Sequence, residues 1–180
     1  MKRITTLINS YIAILLLCSC GENNDEKIYK QENDYYIKAN LPKDFITNKD
    51  LGSALSILEA KKGKLVDKSI LLSGYIGGRR EPFTKGRTSF VVIDNSIKKC
   101  NEIKGDNCPT PWDACCEDRR TILSSTLTVQ IIDKNSSLLK GTLKGVDGLQ
   151  PGKKIKVFGT IDTSSIPSAM LVNAKQIQLL

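Results

Sequence analysis

Four of the six cysteines fall in one short segment, Cys100-Asn-Glu-Ile-Lys-Gly-Asp-Asn-Cys108-Pro-Thr-Pro-Trp-Asp-Ala-Cys115-Cys116. Thiols this close support three chemistries. In an oxidising compartment the default is two disulfides, with three possible pairings that spacing cannot separate. Pro109 and Pro111 then stiffen a stapled loop carrying Trp112. Four thiolates also suit a Zn²⁺ or Cu(I) ion, although no pair has the C-x-x-C spacing and adjacent cysteines do not easily face one ion. A strained, reducible Cys115–Cys116 pair would serve redox work. Structural bridges are the expected reading, with no metal or cofactor.

A second segment is rich in cations: Gly77-Gly78-Arg79-Arg80-Glu81-Pro82-Phe83-Thr84-Lys85-Gly86-Arg87. Arg79, Arg80, Lys85 and Arg87 can clamp a carboxylate or phosphate, with Phe83 and Trp112 as stacking surfaces. Histidine is absent from the chain. That excludes Ser-His-Asp and Cys-His catalysis and removes the usual neutral-pH general base. Asp94 and Asp113 are single acids at turns and read as caps. The expectation is therefore binding or scaffolding without catalysis. Thiol-based metal handling or redox work is the alternative.

The elements that must position these loops are strands. Ser69–Ile76, Thr88–Asp94, Leu127–Asp133, Lys154–Ile161 and Met170–Leu179 carry β-branched and apolar residues between turn signals. Leu127, Val129 and Ile131 share one face, as do Ile155, Val157 and Gly159. Before them, Thr47 and Asp50 begin a capping-box pattern, and Leu51, Leu55 and Leu58 recur at helical spacing up to Gly63. A short helix is expected in 138–152, ahead of Pro151-Gly152. Five strands with a helix between the third and fourth is the order of an OB-fold, a mainly β, partly open Greek-key barrel. Gly74 and Gly159 fall where barrel closure needs bends. The basic segment then becomes the loop joining the first two strands, and the cysteine segment the loop joining the second and third.

The chain has 180 residues and a net charge of +8, enough for one core and suited to anionic surfaces. At its start, Lys2 and Arg3 precede the apolar run Ile12–Leu17, which is too short to span a bilayer and reads as a signal peptide. Leu17-Cys18-Ser19-Cys20 resembles a bacterial lipobox, with leucine at minus three and a small residue at minus one. The resemblance implies that Cys20 is acylated and becomes the mature N-terminus. Cys18 fits this role worse, because Leu17 would then stand where a small residue belongs. Residues 1–19 are thus read as a signal peptide, 20–44 as a lipid-anchored polar tether, and 45–180 as the barrel domain. Gly21 lacks the aspartate that often retains such lipoproteins at the inner membrane, which implies the periplasmic face of an outer membrane. An exported, tethered chain meets little nucleic acid, so the expected partners are the membrane, an anionic envelope ligand or another protein.

The residues from Ile76-Gly-Gly-Arg79 through Pro82-Phe83, Gly86-Arg87, Phe90 and Asp94 to the Cys-Pro-Thr-Pro-Trp-Asp-Ala-Cys-Cys run at 108–116 resemble a group of uncharacterised bacterial lipoproteins with an OB-like domain. The likeness extends to Leu143-Lys-Gly-Val146 and Gly159-Thr160. It implies fold and export and leaves the activity open. Ala114 stands where that group usually carries an aromatic residue.

Overall fold

In β3 (Ser69–Ile76) burial alternates, with Ile70, Leu72, Gly74 and Ile76 turned to one side. The same period runs through β4 (Ser89–Ile93), β5 (Thr126–Gln130), β6 (Lys154–Ile161) and β7 (Leu171–Leu179). Each strand thus has one apolar side, and five such sides are hidden together when the sheet curls into a barrel. The structure, a computed structural model, describes residues 37–63 and 68–180. In it β3 pairs antiparallel with β4 and β6, β4 with β5, and β6 with β7. A parallel pairing of β5 with β7 closes the ring. The protein is therefore mainly β, built on a closed five-stranded barrel.

The barrel core includes Ile57, Ile76, Phe90, Val129, Leu143, Leu149, Ile155, Val172 and Ile177. Each such side chain, fully withdrawn from water, contributes about 1.5–3 kcal/mol. Closure needs a local irregularity, supplied by a bulge where β6 passes β7 at Phe158/Gly159. There a Cβ on Gly159 would sit 2.3 Å from the Asn173 carbonyl oxygen, and one on Gly74 would sit 2.6 Å from that of Ile93. Both glycines mark close backbone approaches within the barrel wall.

Two short strands decorate the edges: β1 (Ile46–Thr47) lies parallel to β7 and β2 (Leu55–Ser56) parallel to β3. They shift the helix start expected at Thr47. The backbone of 46–47 is engaged by β7, and the Leu51 N–H donates to Gln178 Oε1 at 2.9 Å. Helix α1 (Ile57–Lys62) begins only at Ser56, which forms a capping box with Glu59, and it ends at Gly63. Its Ile57 and Ala60 are fully buried in the barrel core.

The helix expected in 138–152 is absent; this stretch is a series of turns. Gly141, Gly145 and Gly148 take left-handed φ values of 102°, 80° and 92°, which interrupt a right-handed helix, while Leu143 and Leu149 still reach the core. A helix does form ahead of the third barrel strand: α2 (Arg119–Ser125), whose N-cap Asp118 accepts from the Arg120 and Thr121 N–H groups. The signal peptide, Cys20 and the tether up to residue 36 lie outside the described residues. Residues 37–44, expected as the end of the tether, join the barrel domain. Thr142 N–H donates to the Ile37 carbonyl at 2.7 Å, Ala39 N–H to the Thr142 carbonyl at 3.0 Å, and Ala39 is buried.

Asp94, just after β4, ties α1 to the barrel. It is 2% exposed and accepts from the N–H groups of Leu58 and Ser96, at 3.1 and 2.9 Å, and from the Ser96 hydroxyl. Burial by itself raises its pKa. The Ser96 and Leu58 N–H groups, the Ser96 hydroxyl and the Ile57 N–H outweigh burial and hold the carboxyl below its ordinary 3.8. Asp94→Ala is expected to lower stability by about 1–3 kcal/mol through the orphaned donors. A depressed folded-state pKa adds stability above the ordinary carboxylate range and loses it as pH falls through the depressed value. The stability gap between wild type and Asp94→Asn in urea melts should therefore be full at pH 6 and shrink below about pH 4. An unchanged gap across that range would refute the charge-dependent part of this account.

Candidate functional site

Tyr75 in β3 and Ile93 in β4 point out of the barrel wall, and yet Tyr75 is 1% and Ile93 0% exposed. The cysteine segment covers them. Ala114 packs with Tyr75 and Ile93 into a second small core, with Ile97 at its edge. Ala114 is a small residue sealed against Tyr75. Burial raises the Tyr75 phenol, helped by the negative charge of Glu102, so Tyr75 stays neutral.

The segment is ordered by its own hydrogen bonds. A 3₁₀ turn at Cys100–Glu102 opens it. Cys100 N–H donates to the Asp113 carbonyl at 2.9 Å and Asn101 N–H to the Pro111 carbonyl at 3.4 Å, so the two limbs lie side by side. Asp106 Oδ1 caps the Cys108 N–H at 2.8 Å, and Asp113 Oδ1 takes the Ala114 N–H at 2.8 Å.

This folding gathers the cysteines. Cys115 Sγ lies 3.4 Å from Cys100 Sγ and 3.9 Å from Cys108 Sγ, while the Cys116 thiol donates to Asp106 Oδ2 at 3.3 Å. An S–S bond is about 2.05 Å long. No two of these sulfurs stand at that distance, so neither of the two expected disulfides is formed in this structure. The reason is geometric: Cys115 sits between two sulfurs at similar distances, and the thiols group around it without pairing off. Burial pushes the Cys100 thiol up to about 12. The Thr110 hydroxyl, and then its backbone, holds Cys108 below its usual value. Cys115 is drawn down by Cys100 but raised further by Cys108 and by burial, and ends above its usual value. Cys116 is raised by its hydrogen bond with the Asp106 carboxylate.

The basic segment divides in two. Its first half docks on the cysteine segment: Gly78 N–H donates to the Trp112 carbonyl at 3.1 Å, and Trp112 Nε1–H donates to the Arg80 carbonyl at 3.1 Å. Arg79 and Arg80 are exposed beside this junction. The second half turns back onto the barrel, with Val91 N–H donating to the Pro82 carbonyl at 2.8 Å. Phe83 is 8% exposed, with its ring 5.5 Å from that of Phe90 in the core. It is therefore a packing residue, not the stacking surface expected of it, because the returning loop carries it inward. Lys85 is exposed and engaged with neighbouring groups. Arg87 is exposed, and its backbone bridges to Lys140. The structure thus joins Arg79, Arg80 and Trp112 and leaves Arg87 on a different stretch of chain.

Beyond Trp112 lies an open hollow of about 300 Å³, lined by Lys99, Asn101, Pro111, Trp112 and Lys153. Lys99 is held there by Glu102 at 3.3 Å and by the Tyr75 ring, 5.2 Å from its Nζ; Lys153 is exposed. Sequence reading missed Lys99, Asn101 and Lys153. Lys153 follows Pro151-Gly152, and only the tertiary fold carries that turn beside Trp112. A hollow of about 400 Å³ between 40–45 and 131–133 is mostly apolar and contains none of the cysteines or loop arginines.

The junction depends on Gly77, where a Cβ would stand 2.3 Å from the Trp112 carbonyl oxygen and 2.7 Å from the Tyr75 ring. Gly77→Ala is expected to push the cysteine segment off the barrel, at a cost of about 1–3 kcal/mol, and to red-shift the emission of Trp112, the single tryptophan. An unchanged spectrum and melting temperature would contradict this docking.

No protein-family model matches the chain, and no curated protein is significantly similar to it. Among solved structures it is similar to one described as "a putative aspartyl-tRNA synthetase from Leishmania major Friedlin", with a TM-score of 0.37 and 11% identity. That match covers 85% of this chain, which spans 25% of the other, and a likeness so loose carries no functional argument.

Proposed function

We propose that this chain is an exported, lipid-anchored binding module without catalytic chemistry of its own. Acyl chains on Cys20 hold an OB-like Greek-key barrel at the cell envelope, on the periplasmic face of an outer membrane. The barrel engages an anionic envelope ligand where the basic loop meets the cysteine segment. The closed ring in the order β3-β4-β5-β7-β6 supports the OB-like reading, because it is the strand order of that fold. The lipobox-like run ending at Cys20 supports the anchor. No helix among the described residues is long and apolar enough to cross a membrane.

One observation carries the ligand class: the Trp112 Nε1–Arg80 carbonyl and Gly78–Trp112 carbonyl hydrogen bonds seat the backbone of the exposed Arg79 and Arg80 next to Trp112, which itself lines the hollow that holds Lys99 and Lys153. Guanidinium groups beside an aromatic plane suit phosphate, sulfate or carboxylate groups on a larger molecule. Asp94 and Asp113 are occupied with backbone N–H groups, as expected of caps.

Two experiments test this reading. Cells fed an alkyne-tagged fatty acid should label the full chain, and Cys20→Ser should abolish the label; labelling that survives the substitution would remove the anchor. The detergent-solubilised chain should bind heparin, used as a polyanionic probe. Arg79→Ala with Arg80→Ala is expected to weaken binding about tenfold, equivalent to about 1.4 kcal/mol. The charge-matched control Lys43→Ala with Lys49→Ala, on exposed residues elsewhere, should leave it near wild type. Equal losses in both variants would show that net charge alone, and not this surface, accounts for binding.

A further inference from the structure

Three of the four thiols, those of Cys100, Cys115 and Cys116, have the dimensions of a cation site. Four sulfurs held 2.3 Å from one Zn²⁺ at tetrahedral angles stand about 3.8 Å apart. Cys115 Sγ is 3.4 Å from Cys100 Sγ and 3.9 Å from Cys108 Sγ, and the sulfurs of Cys100, Cys115 and Cys116 all lie within 4.8 Å of one another. We propose that Cys100, Cys115 and Cys116, with Cys108 drawn in as the fourth ligand from its place 3.9 Å from Cys115, form a tetrathiolate site for a thiophilic d¹⁰ divalent cation of the Zn²⁺ class.

Adjacent cysteines are poorly placed to share an ion in an extended strand, where successive side chains point to opposite faces. Here Cys115 and Cys116 are the central residues of a turn in which Glu117 N–H donates back to the Ala114 carbonyl at 3.0 Å. Both sulfurs consequently stand within 4.8 Å of Cys100. The remaining ligands are held without help from an ion. Cys100 is fixed by its N–H bond to the Asp113 carbonyl, and Cys108 by Asp106 at its N–H and by Thr110 Oγ1 at 3.3 Å from its sulfur. Cys100 closes the inner side, while Cys115 and Cys116 are exposed and leave an entry path from solvent. All-sulfur donors select against Mg²⁺ and Ca²⁺, which take oxygen ligands, and four of them suit a tetrahedral ion. Binding breaks no bond except S–H: each thiol that ligates releases one proton to water and no electrons move. The ion would tie both limbs of the segment that supports Trp112. This inference rests on the cysteine segment alone and holds or fails independently of the lipid anchor and the anionic ligand.

The test uses the full chain in detergent, reduced and stripped of metal, titrated with Co²⁺ and then with Zn²⁺. About one Co²⁺ per chain is expected, with an intense thiolate-to-cobalt charge-transfer band and the visible spectrum of tetrahedral cobalt; Zn²⁺ should then bleach both. Zn²⁺ should also raise the melting temperature, because it binds the folded state, and protect the thiols from alkylation, a readout that needs no substitution. Cys115→Ser should lose most of the charge-transfer band and Cys116→Ser part of it, with far-ultraviolet circular dichroism checking that the barrel is folded. Cys20→Ser should keep the band. A folded, reduced wild-type chain that develops no band and gains no protection overturns the proposal. So does an unchanged band in Cys115→Ser, or a chain refolded with Zn²⁺ that still comes to rest with two disulfides.

Discussion

The candidate site depends on the burial of two side chains that face the wrong way for a barrel. Tyr75 and Ile93 stand on the outer wall of β3 and β4, where an isolated five-stranded barrel would leave them in water. Covering a tyrosine and an isoleucine removes a large apolar area from solvent. The segment from Cys100 to Cys116 supplies that cover with Ala114, and every other feature of the site follows from where it lands. The small size of Ala114 lets the backbone at 113–114, between the turns at 111–112 and 115–116, approach the wall closely. The close approach of the Trp112 carbonyl then requires glycine at position 77.

Once the cover is seated, two chemistries lie side by side on it. Outward and toward the basic loop, the indole of Trp112 is fixed by the Arg80 carbonyl, and the neighbouring cations are held at the mouth of an open hollow. Lys99 illustrates how the field is arranged: it answers to Glu102 and to the face of Tyr75, so its charge stays at the rim. On the other limb, the thiols converge on Cys115. The two regions share the same backbone hydrogen bonds, those from Cys100 to Asp113 and from Asn101 to Pro111. Anything that stiffens the thiol limb therefore also steadies the tryptophan limb.

The barrel strands were largely legible. The expected limits Ser69–Ile76 and Lys154–Ile161 coincide with β3 and β6, because period-two burial is written directly in residue order. The helices were less so. Leu51, Leu55 and Leu58 have helical spacing, but the backbone before Ser56 is held by β7, β3 and Gln178, and tertiary pairing overrides a local period. The stretch 138–152 has apolar residues at intervals that suit a helix, yet its glycines turn it back repeatedly while Leu143 and Leu149 still find the core. Phe83 shows the same limit at the site. An aromatic residue in a cationic loop looks the same in sequence whether it faces solvent or, as here, packs at a tilt against Phe90.

The amino-acid sequence by itself determined the five barrel strands, the absence of imidazole chemistry, the grouping of cations in one segment and the concentration of thiols in another. These properties depend on residue type and short-range spacing alone. Tertiary structure decided which of those residues meet. Arg80 reaches Trp112 across 32 positions of chain, Lys153 arrives from the far end of the connection between β5 and β6, and Cys100 is brought against Cys115 by the folding back of a single loop. Such contacts are set by closing the barrel and burying Tyr75, which are long-range events whose energy is spread over the whole core and leaves no local pattern to read.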